Sequence, residues 1–251
     1  MISFDELQID PELVEELAQF DEQINLFRIA GPLDSVALAK LEEHFKAAHI
    51  YHSAGIEGNR LTLQETNLVL KEGIDIRGKP LQDSIEVRSL GDAFDYLKQM
   101  SEREQTIREI DIREIHQLLM QGQQEYSPGE YRKISVVISG SEHRPPEPIT
   151  VPSRMEQLVT WINDSMKLNP VLVAAIAHHE MAAIYPFKDG NGRVSRLIMN
   201  LILLKRGYPI CNISRDNRPA YYDALAWADQ GNYEPLIQII YQGSSQLFQE
   251  Y

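Results

Sequence analysis

Between residues 184 and 196 the chain reads Ile-Tyr-Pro-Phe-Lys-Asp-Gly-Asn-Gly-Arg-Val-Ser-Arg. It joins one apolar run (VLVAAIAHHEMAAI) to another (SRLIMNLILLKRG), so Gly190-Asn191-Gly192 falls at a helix N-terminus. The first N–H groups of a helix have no intrahelical partner and the dipole there is positive, which makes an anion site. Gly190 and Gly192 let the backbone approach a phosphate. Arg193 and Arg196, three residues apart, share a helical face and can fork onto phosphate oxygens. Asp189 is a hard oxygen ligand suited to Mg²⁺, which binds through one or two carboxylates plus substrate phosphates. Each feature alone reads as a turn, a cap or a solvated helix end. Their combination within about a dozen residues points to a phosphate site.

The rest of the sequence supplies helices to hold this loop. Asp10-Pro11 opens an apolar-periodic run that Gly31-Pro32 closes. A second helix is expected from about Ser35 to about His52, and Thr62 with Glu65 forms a capping-box signature before a third, stopped by Gly73. Further helical patterns cover Ser84 to Met100, Asp111 to Gln121, Ser153 to Met166, Pro170 to Ile184, Asn191 to Lys205, Pro219 to Asp229 and Tyr233 to Phe248. The expected fold class is all-α, a helical bundle. One stretch departs from it: Tyr131 to Ile138 is rich in β-branched residues and the Gly, Ser and Pro residues from Gly140 to Pro148 follow, which predicts a short β-hairpin lying on the bundle. With no repeat or flexible linker in view, the chain divides by convenience into an N-terminal helical annex, 1–104, and a core, 105–251.

At 251 residues the chain can bury a substantial core without staples, and its single cysteine, Cys211, cannot form an intramolecular bridge. A reducing compartment, the cytoplasm, is expected. The N-terminus lacks the cationic and apolar pattern of a leader, and no segment reaches the ~18 uncharged apolar residues of a membrane span. The formal net charge of -13 opposes broad attraction to nucleic acid or anionic lipid, so neither nucleic acid nor membrane is an expected partner.

The loop resembles the motif of the Fic family: His, any residue, Phe, any residue, Asp or Glu, Gly-Asn-Gly-Arg, two residues, Arg. Every fixed position matches except the first, where Tyr185 stands. The similarity extends to Gly129-Glu130-Tyr131-Arg132, His143 to Pro148, Arg196 to Asn200, Gly207-Tyr208-Pro209 and Tyr221-Tyr222, roughly residues 105 to 240. The resemblance implies a Fic-fold bundle and an enzyme that moves AMP from Mg·ATP to a Ser, Thr or Tyr hydroxyl of a target protein, itself included. It implies that Asp189 binds Mg²⁺, that Asn191 and the Gly190 and Gly192 amides hold the α- and β-phosphates, and that Arg193 and Arg196 hold the outer ones. The hairpin would be a flap whose Val136, Val137, Ile138 and His143 dock the target by strand addition.

In the family the histidine removes the proton of the attacking hydroxyl. A phenol has a pKa near 10 against about 6.5 for imidazole, so only about one unperturbed tyrosine in 10³ is ionised at pH 7. Loss of a general base costs ~10²–10⁴-fold. Tyr185 therefore marks a natural pseudoenzyme, an altered chemistry or an engineered knock-out. Neighbouring cations would have to lower its pKa by about three units to restore a base, a shift rarely reached. His178, seven residues earlier on the same helical face, reads as a satisfied core histidine, and His179-Glu180 as ordinary helix residues.

His52 to Asn59, with Ser53, Glu57, Gly58 and Asn59, resembles the family's inhibitory motif: Ser or Thr, three residues, Glu, then Gly or Asn. A carboxylate at Arg196 would neutralise the fork meant for the γ-phosphate. The bland reading is a helix end with Glu57 solvated. In some members the same glutamate helps remove AMP. Arg218 to Leu225 resembles the adenosine-side helix, in which Tyr221 or Tyr222 lines the base pocket with Asp229 as a polar neighbour; core packing serves equally for each. His143 and Arg144 lie at the hairpin tip. Two readings stand: an ATP-dependent protein AMP-transferase restrained by Glu57 and weakened by Tyr185, and a nucleotide-binding regulator that senses ATP or ADP without chemistry. Hydrolytic reversal through Glu57 and the kinase-like or phosphocholine-transferring activity of divergent relatives are further options. The sequence leaves a homodimer open.

Overall fold

A helix that is apolar on every side must be surrounded, and Pro170–Ile184 is such a helix. In the computed structural model, which describes residues 9–30 and 35–248, it is α7 of ten α-helices among the described residues. The others are α1 (Pro11–Ala30), α2 (Ser35–Ile56), α3 (Leu63–Glu72), α4 (Leu81–Ser101), α5 (Glu109–Leu119), α6 (Val151–Asp164), α8 (Asn191–Lys205), α9 (Arg218–Ala228) and α10 (Glu234–Phe248). Asn169 starts α7 by accepting from the Val171 amide at 2.9 Å, with Pro170 in the first turn. α8 is nearly as enclosed, with Val194 and Leu197 to Leu203 all buried. These two helices make the most extensive helix–helix contact, α4 and α5 cover α8, and α6 and α10 cover α7. The phosphate-type loop therefore sits at the end of the central helix pair, where buried helices fix both its ends.

The N-terminal helices join the same core: Phe45, Ile50, Val87 and Leu90 belong to one apolar cluster with Leu197, Ile202 and Ile240. α2 packs on α4, α3 and α8. It runs to Ile56, four residues past the expected end near His52. Gly55 lies within it where Arg215 packs against that face; a β-carbon there would come within 2.7 Å of the Arg215 side chain. The stop comes at Gly58, φ +102°, with the Asn59 amide donating to the Ala54 carbonyl and the Gly58 amide to the Gly55 carbonyl, both at 3.1 Å. This two-bond pattern is a Schellman cap and places Glu57 at the helix end. The Thr62–Glu65 capping box before α3 forms as expected, and Gly73 ends that helix at φ +66°. The expected stop of α1 at Gly31-Pro32 lies outside the described residues.

The segment 131–147 departs from the expected hairpin: no strand occurs among the described residues. Its arms meet at their base through side chains instead. Pro145 and Pro146 remove backbone donors from the second arm, which weakens any ladder there.

Candidate functional site

The loop starts from an unusual backbone. Tyr185 caps α7 in the left-handed region, φ 49° and ψ 58°, its amide donating to the Met181 carbonyl. For a residue with a β-carbon this costs roughly 1–2 kcal/mol, so the surroundings must enforce it. Arg132 does so from one side: its Nε donates to the Tyr185 carbonyl at 2.8 Å, and its backbone amide to the Pro186 carbonyl at 2.8 Å. The same guanidinium donates to the Ile134 carbonyl at 2.9 Å and the Pro146 carbonyl at 2.5 Å, tying both arms of the 131–147 segment to the end of α7. From the other side His116 of α5 stacks on Phe187, ring centroids 3.7 Å apart and planes 3° off parallel, and bonds the Asp189 carbonyl at 3.1 Å. Within the loop, Asn191 brackets Phe187, accepting from its amide at 2.9 Å and donating to its carbonyl at 3.0 Å. Its side chain thus holds the loop's shape in this state. Gly190 takes φ +78°, and a β-carbon on it would lie 2.9 Å from Met120 Sδ.

Four of the expected groups, Asp189, Arg193, Arg196 and Glu57, converge on the α8 N-terminus. The Arg193 side chain is 5% exposed; its Nη2 lies 3.6 Å from Asp189 Oδ1, while Nε and Nη1 are buried with no hydrogen-bond partner in the protein. A buried guanidinium with two idle donors is costly unless an anion completes it. Arg196 is satisfied: Nε donates to Ser53 Oγ at 2.9 Å, and Nη2 to the Ser53 carbonyl at 2.9 Å and to Glu57 Oε1 at 2.7 Å. The carboxylate rests against Gly192, where a β-carbon would fall 2.5 Å from Glu57 Oε1. Burial opposes ionisation of Glu57, but the charge and hydrogen bond of Arg196, with Arg193 and Arg218 nearby, hold its pKa below the ordinary carboxylate value. Asn59 anchors this helix end, donating to the Asp83 carbonyl at 2.9 Å and to Glu86 at 3.1 Å. Gly190 N–H donates to Asp189 Oδ1 at 2.6 Å, so the chain's own carboxylates, Asp189 and Glu57, lie at the anion-binding groups.

Among the described residues no group of three or more His, Cys, Asp and Glu side chains could hold a metal. Asp189, 44% exposed beside the loop, is a single hard ligand. It fits a Mg²⁺ ion carried in on a phosphate and does not make a metal centre alone.

Tyr185 keeps its proton. Burial raises its pKa first, and the negative charges of Asp189 and Glu57 raise it further against a lowering bond from Asn191. Burial and these carboxylates together outweigh any cationic relief a phenolate base would need.

The adenosine-side residues separate. Tyr221 is buried, its hydroxyl 2.8 Å from His178 Nε2. Tyr222 is 42% exposed and lies beneath the Arg218 guanidinium, so it offers the accessible ring of the pair. Asp229 turns elsewhere: its Oδ1 is 2.9 Å from His179 Nε2 and 3.2 Å from His143 Nδ1. His143 also meets the Ala183 carbonyl at 2.9 Å, so it pins the segment tip to α7, whereas Val137 is 70% exposed and Val136 and Ile138 are half-buried. His178 is neutral, its pKa pushed down to about 3 by burial. His116 and Arg132 were not singled out as site residues, because their partners lie 73 and 53 positions away.

Residues 106–203 match the Fic/DOC family. The chain is similar to the protein adenylyltransferase Fic of Drosophila grimshawi, 37% identical over 204 residues, covering 80% of this chain and 41% of the relative. It is also similar to that of Aedes aegypti, 35% identical over 209 residues, covering 82% and 42%. Thus the chain spans about two fifths of the length of these curated relatives. Among solved structures it resembles Fic-1 (residues 134–508) of C. elegans, with a TM-score of 0.86 and 27% identity over 95% of this chain and 71% of that one. A Fic domain-containing signaling protein of Bacteroides thetaiotaomicron gives a TM-score of 0.85 and 26% identity, covering 93% and 94%.

Proposed function

Through residues 106–203 this chain belongs to the Fic/DOC family, and on that premise we propose that it is a protein adenylyltransferase restrained by Glu57 and slowed by Tyr185. The observation that carries the reading is Arg193, buried beside the α8 N-terminus with two guanidinium donors unpartnered. A nucleotide phosphate is the ligand that such a group and the adjoining amides bind best. Asp189 would hold Mg²⁺, which supplies charge neutralisation on the phosphates when bound. The loop amides bind and orient the α- and β-phosphates, Arg193 holds the β-phosphate, and Arg196 takes the γ-phosphate once Glu57 leaves it. A target hydroxyl then attacks the α-phosphorus, the bond from that phosphorus to the β-bridging oxygen breaks, and pyrophosphate departs. The hydroxyl proton has no efficient acceptor, because Tyr185 is itself protonated. The segment 131–147, held by Arg132 and His143, borders residue 185 and is the surface for the target chain.

The raised pKa of Tyr185 favours a second reading, a nucleotide-binding regulator without transfer chemistry. Incubation with Mg²⁺ and α-labelled ATP separates the two. Glu57→Gly with Tyr185→His is expected to label itself or a lysate protein, and the unaltered chain far less. A double variant that binds Mg·ATP yet transfers no label leaves the regulator.

A further inference from the structure

His116 lies outside the loop, on α5, and nothing in the phosphate chemistry requires a histidine there. It is buried and its ring is used on every side. The Gly129 amide donates to Nδ1 at 2.8 Å. An amide can only donate, so Nδ1 carries no proton and the neutral ring holds its hydrogen on Nε2. Nε2 in turn faces the Asp189 carbonyl at 3.1 Å, which can only accept. The tautomer is thus dictated by backbone groups at both ends, while the ring face covers Phe187 at 3.7 Å.

The Asp189–Gly190 peptide is planar and trans, so its carbonyl and its N–H point in opposite directions. Fixing the Asp189 oxygen on His116 directs the Gly190 N–H away from α5, to where it meets Asp189 Oδ1 at 2.6 Å. We propose that His116 is the positioning residue of the anion loop: it sets the orientation of the Asp189–Gly190 peptide and couples it to Gly129 at the root of the 131–147 segment. This rests on the nucleotide reading for its purpose, though the geometry stands without a nucleotide. Glutamine can offer the same pair, an oxygen to accept from Gly129 and an N–H to give to Asp189, whereas phenylalanine keeps only the stacking face.

The test compares His116→Phe and His116→Gln in full-length chain carrying Glu57→Gly. Amide hydrogen exchange of residues 187–190 without nucleotide, and calorimetric binding of Mg·ATP and Mg·ADP, are the two readouts. His116→Phe is expected to speed exchange of the loop and weaken both nucleotides roughly tenfold, the scale of two lost hydrogen bonds, with His116→Gln recovering most of each loss. Should His116→Phe not fold, His116→Asn, too short to reach both partners, takes its place. Exchange in the Phe or Asn variant equal to the parent, or no recovery by Gln over Phe or Asn, would overturn the proposal. A Glu57→Gly parent that binds no nucleotide would remove the nucleotide reading and leave exchange to decide on His116.

Discussion

Arg193 and Arg196 sit one turn apart on α8 and are treated oppositely: Arg196 is completed by Ser53 and Glu57, and Arg193 keeps two buried donors idle. Arg193→Ala should therefore cost ATP and ADP alike ~1.5–3 kcal/mol of binding, the worth of a charge-assisted contact, as calorimetry would show. Glu57 has a pH signature whose sign follows from its lowered pKa. The stability it contributes is complete above its unfolded value of 4.5 and is lost as pH falls through the lower native value. Urea unfolding should therefore show Glu57→Gln less stable than the parent at neutral pH, the gap closing in acid. About a third of the Glu57 side chain meets water, so the effect is modest. Short-range spacing at one helix start brings Asp189, Arg193 and Arg196 together, whereas Glu57 is reached only through the resemblance of its segment to an inhibitory motif. The hold of Asn191 on Phe187 could not be read from the sequence, since loop geometry decides where a short amide points.

Among the elements, α2 presents a carboxylate at its own negative end, which its dipole disfavours. The positive end of α8 meets that carboxylate, and Arg196 reverses the balance, so the contact depends on α2 being held in register. Ser53 on Arg196 and His49, 3.2 Å from Asn200, supply that register one turn and two turns before Glu57. Helix existence was legible throughout, since caps and apolar period agree; Thr62→Ala, which breaks the capping box, should cost about 1 kcal/mol in urea unfolding. The segment 131–147 is where structure and sequence pattern part. Its β-branched residues favour a ladder, yet Pro145 and Pro146 remove donors from one arm and the buried Arg132 ties the two arms together instead. Arg132→Met should leave the Tyr185, Ile134 and Pro146 carbonyls without their shared donor. A loss on the order of 2–3 kcal/mol and faster amide exchange confined to that segment and residues 184–187 are expected. Unchanged exchange there would count against a staple.

Across the molecule, one apolar cluster binds the N-terminal helices to the α7–α8 pair, so the element carrying Glu57 is part of the core rather than an appendage. The contact spans 139 positions, which no local pattern encodes; the sequence offered it through the paired motifs. The net charge of -13 makes the cationic pocket an exception on an acidic chain, suited to a small anion drawn in locally. The central claim is that Glu57 occupies the guanidinium a γ-phosphate needs. Calorimetry of Mg·ATP and Mg·ADP on the unaltered chain and on Glu57→Gly tests it most directly, because Ser53 still holds Arg196 in place in the variant. ATP affinity is expected to rise well above any gain for ADP, whereas affinities unchanged by the substitution for both nucleotides would mean that Glu57 does not compete with the γ-phosphate.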